Sequence, residues 1–247
     1  GGLTGFVRHG DLQAVSLFDH VVVRQHEAIA DHHAGAGGGQ LLAGLGLLLA
    51  AVAVAIAITE EETAKALKDD NVRREFVKKF VADSDLYSEA VKEGLEEYLM
   101  SMPADEMVKK AISGVKKSDI IIKSNSLADY IDAGYPYHTD PLPNLYFTRD
   151  PGACIGNGIS IHHMSTEARR REALLLEYMY KYNKDFAPDG TQQWYDYDHE
   201  YSVEGGDFLV LNKEIVAIGL SQRTTVVGIE RFARNILNKS SFKKILV

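Results

Sequence analysis

A chain of 247 residues with 45% apolar residues has enough material for one or two buried cores, and its net charge of -8 excludes a nucleic-acid backbone as main partner, since that contact needs clustered Lys and Arg. The single cysteine, Cys154, excludes an internal disulfide framework and fits a reducing compartment, so a cytoplasmic location is expected. A lone thiol does not by itself separate a structural cysteine from a reactive one.

Residues 1–58 form an atypical amino-terminal segment. Lysine is absent from residues 1–64, five of the nine histidines (His9, His20, His26, His32, His33) fall within the first 33 residues, and the first methionine is Met100. These features suit a fragment, a processed product or a misread frame, and the misread frame is favoured for most of residues 1–50. The 18 residues from Leu41 to Ile58 just reach the roughly 17–25 needed to span a membrane. Glu60, Glu61 and Glu62 behind them, the lack of a Lys/Arg cluster and the dilution by Ala and Gly argue against a span, and a buried strand over residues 52–58 competes with it. A membrane partner is not expected.

From Thr59 the pattern is helical, and residues 59–118 read as a small helical bundle. Thr59-Glu60-Glu61-Glu62 has the form of a capping box that starts a helix. Val72, Phe76, Phe80 and Val81 recur at helical spacing with Arg73, Arg74, Lys78 and Lys79 on the wet face; Leu86, Ala90, Val91, Leu95 and Leu99 form a second stripe. Pro103 suits the start of a third run, Asp105 and Glu106 follow it, and Gly114 stops it. Such stripes are core packing before they are a partner surface.

Residues 119–247 alternate short strands with helices, which indicates an α/β fold. Asp140-Pro141-Leu142-Pro143-Asn144 is turn-rich, Ile159-Ser160-Ile161 alternates as a strand does, and Thr166–Tyr182 reads as a helix followed by a loop over residues 184–190. Asp207–Leu211 and Ile215–Gly219 suggest a hairpin, Val226–Leu237 is amphipathic, and Phe242–Val247 reads as a strand. No repeat is visible in the sequence.

Polar residues near Gly and Pro carry the chemistry. Asp150 stands between Arg149 and Pro151, and its carboxylate either grips a guanidinium through paired hydrogen bonds or is neutralised by Arg149 in a turn. Glu204 and Asp207 flank Gly205-Gly206, where a ligand could approach the backbone closely, or where a strand simply begins with solvated acids. Arg223 closes a turn before Thr224. Arg169, Arg170 and Arg171 lie on one helix, and consecutive positions cannot all face one ligand. His162 and His163 are adjacent on a strand and point to opposite faces, a poor shared metal site. For Cys154 the simpler role is that of a small buried thiol.

Taken together, Asn144–Pro151, Met164 with Arg169–Glu172, Glu204–Asp207 and Gly219–Thr224 resemble arginine deiminase in order and spacing, over about Thr59 to Val247. The resemblance implies a pentein fold, a five-bladed α/β propeller around a polar pocket, of which residues 119–247 would be a partial propeller and residues 59–118 a helical insertion. It also implies hydrolysis of L-arginine to L-citrulline and ammonia with no cofactor and no metal. In that family a cysteine attacks the guanidinium carbon and a histidine shuttles protons. By resemblance Asp150 holds the guanidinium, and Glu204 supports substrate and catalytic histidine. Asn144, Arg169 and Arg223 recognise the amino-acid end, and Phe147 walls the pocket. The family's second guanidinium aspartate, its histidine and its carboxy-terminal cysteine have no counterparts in this chain, and Cys154 falls in the wrong place to replace the nucleophile. Turnover by this chain alone is therefore not expected. Two alternatives stay open: another guanidine-modifying pentein (an amidinotransferase or dimethylarginine hydrolase), and a non-catalytic arginine-binding or membrane-tethered remnant. A homo-oligomer also stays open.

Overall fold

Four helices come first in the computed structural model, which describes residues 55–123, 127 and 134–247. The expectations for residues 1–50, and the part of the 41–58 run before Ala55, lie outside the described residues. Residues 55–66 are helical (α1), so the strand expected over 52–58 is corrected at 55–58. Thr59 is not the start of this helix: it sits inside it, with its hydroxyl donating to the Ala55 carbonyl at 2.9 Å. The alanines ahead of Thr59 favour helix and contain no stop signal, so the capping-box pattern is overridden. Among the described residues no helix is long and apolar enough to cross a membrane.

The next three helices start and stop where local chemistry dictates. In α2 (Asp70–Ala82) the Asp69 carboxylate caps the amides of Asn71 and Val72 at 2.9 and 3.1 Å. Ser88 caps α3 (Glu89–Met100), and α4 (Ala104–Ser113) runs from Pro103 to Gly114, whose φ of +79° ends the helix in a conformation that favours glycine. Their apolar faces bury Phe76, Phe80, Leu95, Leu99, Met107 and Val108 in one cluster with Leu174, Leu175 and Tyr178 of a later helix. Phe76 meets the Tyr178 ring edge-on at 5.1 Å.

After a two-stranded antiparallel ladder, β1 (Val115–Lys116) with β2 (Tyr137–Thr139), the chain makes the same unit twice. In the first, β3 (Gly152–Ile155) pairs antiparallel with β4 (Gly158–Ile161), α5 (Glu167–Tyr182) crosses over, and β5 (Gln192–Tyr195) joins β4 in parallel. In the second, β6 (Phe208–Val210) pairs antiparallel with β7 (Ile215–Ile218), α6 (Val226–Lys239) crosses over, and β8 (Lys244–Leu246) joins β7 in parallel. Each sheet has three strands and stays open among the described residues. The α/β expectation holds. The alternation read at Ile159–Ile161 does not give a wet face, because β4 is the middle strand and is buried along its whole length.

A second apolar cluster lies under the second unit and includes Trp194, Tyr195, Phe208, Val216, Phe232 and Phe242. The helical region is clasped to the first unit by contacts between residues distant in sequence. The Asn183 amide donates to the Glu62 carboxylate at 2.7 Å across 121 residues, and the Tyr178 hydroxyl donates to Glu75 at 3.0 Å across 103. Tyr197 reaches Asp83 across 114 residues, and the Arg171 guanidinium lies 5.1 Å over the fully buried Phe80 ring. Phe80→Ala should remove both core volume and that cation–ring contact. Urea unfolding is expected to show a loss of about 3–5 kcal/mol with little change in slope; a loss below ~1 kcal/mol would place Phe80 outside the core.

Candidate functional site

The polar residues flagged in the sequence gather on the turns that lead into β3 and β6 and on the starts of the two crossover helices. In each unit an acid ahead of the first strand reaches an arginine near the start of the crossover helix, within its first turn for Arg169 and just ahead of it for Arg223, and in both cases the partners are 19 residues apart: Asp150 with Arg169, and Glu204 with Arg223. The correspondence is one of position in the unit, and it is invisible in the residue pattern around either pair.

In the first pair Arg169 Nη1 donates to Asp150 Oδ2 at 2.9 Å, while Arg169 Nε and Nη2 lie 3.0 and 2.8 Å from Glu172 Oε2. The Arg169 side chain is 6% exposed and that of Glu172 0%, so the charges are held out of water. Burial alone would weaken the charge on Arg169, but its bonds to Glu172 and Asp150 more than offset this and raise its pKa. Burial raises the Glu172 pKa, with Arg169 and the Asn144 amide working the other way. Glu172 Oε1 accepts from the Asn144 N–H at 2.9 Å, which ties the 144–150 turn to α5. Arg149 is not the partner of Asp150. Its guanidinium donates to the Gly205 and Phe208 carbonyls at 3.1 and 2.5 Å.

The second pair is built differently. Glu204 is buried, and its Oε1 accepts from the Ser165 hydroxyl at 2.8 Å and the Ser165 amide at 3.2 Å. Its Oε2 lies 3.1 Å from Arg223 Nη1, whose side chain is 58% exposed. The Glu204 amide donates to Thr224 Oγ1, and Thr224 and Ser221 hydroxyls donate to Asp207 Oδ2 at 2.6 and 2.7 Å. Asp207 thus shapes the turn after Glu204, as its place beside two glycines suggests.

The two pairs meet through backbone. The Asp150 carbonyl accepts from the Gly205 N–H at 3.1 Å and from His162 Nδ1 at 2.8 Å. A Cβ on Gly205 would lie 1.9 Å from the Arg149 carbonyl oxygen, so only glycine allows this approach, and one on Gly206 would lie 3.5 Å from Asp150 Oδ1. His162 is completely buried and stacks on Phe208 with ring centroids 5.2 Å apart at 19°. Burial lowers its pKa to about 4, against a smaller upward pull from the Asp150 carbonyl, so the ring is neutral at pH 7.

All six expected site residues can be placed. Asp150, Arg169, Glu204 and Arg223 form the two linked pairs. Asn144 joins them through Glu172, and its side chain accepts from the Tyr146 hydroxyl at 3.3 Å. Phe147 lies on the same turn, half-exposed, with its ring 4.3 Å from that of Tyr146. The three arginines of α5 diverge: Arg171 donates to the Asp140 carbonyl and Arg170 lies 3.8 Å from Glu167. His162 and His163 also part, since His163 Nδ1 contacts the Tyr197 carbonyl. No cluster of three or more His, Cys, Asp or Glu suited to a metal occurs among the described residues. Cys154 is half-buried in β3, opposite Ile159. Sequence reasoning gave no role to Ser165 or Thr224, the two hydroxyl residues that hold Glu204. Their one signal is position, each just ahead of a crossover helix, where hydroxyl residues satisfy exposed amides.

A family model described as arginine deiminase matches residues 47–247. The chain is similar to arginine deiminases of Limosilactobacillus reuteri (44% identity over 188 residues) and Bacillus cereus (41% over 189 residues). In both comparisons 76% of this chain aligns with 46% of the relative, so the chain spans about half the length of the curated relatives it matches. Among solved structures it is similar to a dimethylarginine dimethylaminohydrolase variant in its adduct with S-methyl-L-thiocitrulline, at 24% identity and a TM-score of 0.36 over 43% of this chain and 39% of that one.

Two outcomes are expected from this geometry. Gly205→Ala forces the 1.9 Å contact apart and should cost about 1–3 kcal/mol or more in urea unfolding; an unchanged midpoint would contradict the close approach. His162 should make stability depend on pH in a defined direction. Its folded pKa of about 4 lies below the ordinary 6.5, so the unfolded state binds the extra proton between these values and stability falls as pH drops from 6.5 to 4. The full effect is about 3 kcal/mol, read as the difference in pH slope between the natural chain and His162→Asn. Equal slopes would mean that the ring titrates normally.

Proposed function

This chain belongs to the arginine deiminase family, and from that premise we propose that it carries recognition groups for the hydrolysis of L-arginine to L-citrulline and ammonia. The proposed setting is cytoplasmic and the proposed architecture is the pentein propeller. The repeat of one strand–strand–helix–strand unit supports that architecture, with two units as blades and residues 59–118 as the helical insertion.

The observation that carries the reading is the adjacency of two acid–arginine pairs on backbone-joined turns. Each acid already accepts a guanidinium, one from Arg169 and one from Arg223. L-arginine presents a guanidinium at one end and a carboxylate at the other. Bound here, its guanidinium would take the place of the side-chain guanidinium at Asp150 and Glu204, and its carboxylate would meet the arginines thus released. Arg169 keeps Glu172 as a partner throughout, so its position survives the exchange. Arg223 is mostly exposed and free to swing. Asn144 and the half-exposed Phe147 ring stand at the edge of the same turn.

Recognition is not turnover. Covalent hydrolysis of a guanidinium needs a thiolate and a proton carrier within reach. Cys154 is the sole thiol of the chain and lies within β3, and His162 is buried and neutral. This chain alone is therefore proposed to bind L-arginine without releasing citrulline.

Calorimetric titration with L-arginine tests the proposal. Asp150→Asn should weaken binding by roughly 30-fold or more, the order for losing one partner of a buried charged hydrogen bond. Arg223→Ala should weaken it by up to about tenfold, because an exposed charge contributes less. Absent binding, or equal affinity in Asp150→Asn, would overturn the site. Citrulline release abolished by Cys154→Ser would overturn the claim that the chain only recognises.

A further inference from the structure

His162 is the one buried, titratable group at the candidate site that the proposed recognition does not use. Its contacts go to both acid-bearing turns. Its amide donates to the Pro151 carbonyl at 2.9 Å and its ring Nδ1 lies 2.8 Å from the Asp150 carbonyl, so backbone and side chain together hold residues 150 and 151. The same ring stacks on Phe208, the residue that follows the Gly205–Asp207 turn. A Cβ on Gly205 would lie 3.2 Å from His162 Cε1, so the ring edge also abuts the turn that carries Glu204.

The hydrogen-bond chemistry narrows what the ring does. A carbonyl is only an acceptor, so Nδ1 must carry the proton, and in a neutral imidazole Nε2 then holds a lone pair. That Nε2 atom is buried and has no hydrogen-bond partner among the described residues. An unmet polar atom in a core is costly, and an apolar ring of similar shape would avoid the cost. The compensating gain is the donor at Nδ1, aimed at Asp150.

From this we propose that His162 is a positioning residue: through its Nδ1–H bond to the Asp150 carbonyl and its stacking on Phe208, it fixes the Asp150 carboxylate relative to the Glu204 turn. The role rests on the reading of Asp150 as a guanidinium-binding acid. His162 touches no ligand in this role, and it acts through the backbone of Asp150.

The test uses the full chain and separates donor from shape. Asparagine carries a side-chain N–H near the position of Nδ1, glutamine carries one near Nε2, and phenylalanine keeps the ring without any donor. Nitrogen NMR of the natural chain should show the Nδ1–H form of His162, unchanged from pH 5 to pH 8. Carbon NMR of the Asp150 carboxyl should give the natural chemical shift in His162→Asn and a displaced one in His162→Phe and His162→Gln. Affinity for L-arginine should follow, within about twofold for His162→Asn and weaker by roughly three- to tenfold for the other two, the size of one lost hydrogen bond. An Nε2–H tautomer overturns the proposal. So does a folded His162→Phe or His162→Gln chain with the natural Asp150 carboxyl chemical shift; should the larger phenylalanine not fold, the glutamine variant decides. If the natural chain binds no L-arginine while the Asp150 carboxyl chemical shift still separates asparagine from glutamine, the recognition reading fails and the positioning role stands.

Discussion

The candidate site depends on one backbone junction, where the Asp150 carbonyl takes hydrogen bonds from Gly205 and His162. A main-chain oxygen that accepts two donors fixes the chain direction on both sides of it. The carboxylates of Asp150 and Glu204 therefore owe their relative placement to main chain, which has few soft torsions, and not to long flexible side chains. Glycine at 205 is the condition for this, since any Cβ would strike the Arg149 carbonyl. Arg149 then closes the junction from the other side, with its guanidinium on the Gly205 and Phe208 carbonyls. A residue that looks like a countercharge for its neighbour is in fact a backbone clamp.

The repeated unit explains why two such acid-bearing turns exist and why they differ. Both place an acid before the first strand and an arginine at or just ahead of the start of the crossover helix. In the first unit the arginine is inside the protein and shared with Glu172; in the second it lies mostly in water. Ion pairs of the exposed kind contribute about 0–1 kcal/mol, whereas breaking a buried one leaves a charge that water cannot reach. One arginine is thus enclosed and the other open to water within a single architecture.

Much of this was legible in the sequence because it is local. The apolar stripes of α2 and α3, the Pro103 to Gly114 run, the α5 helix and the hairpin near residue 212 all follow from neighbours a few residues apart. Asp150 and Glu204 stood out because charged residues next to Gly or Pro are conspicuous, and Arg149 and Arg223 because they stand in the same turn-rich strings. What escaped was set by tertiary contact. Thr59 reads as a helix start, yet the alanines before it continue the helix. Ile159–Ile161 alternates in type but not in burial, because helices and strands cover both faces. Ser165 and Thr224 hold Glu204 from across the fold, and a hydroxyl gives no sign in sequence of which distant acid it will reach. The repeat itself rests on topology, with unlike residues at its matching positions.

The clasps between the helical region and the first unit carry a consequence for the order of assembly. Helices α1 to α4 are built from contacts within short stretches, so they can form early at small entropic cost. Glu62 with Asn183, Glu75 with Tyr178 and Asp83 with Tyr197 close loops of 103 to 121 residues, and nothing offsets that closure until α5 and the loop after β5 are in place. The bundle therefore docks late, against a unit that has already formed. The three acids of that edge, of which Glu62 is the one that becomes buried, wait in water until then, so docking, not helix formation, is the step expected to limit folding.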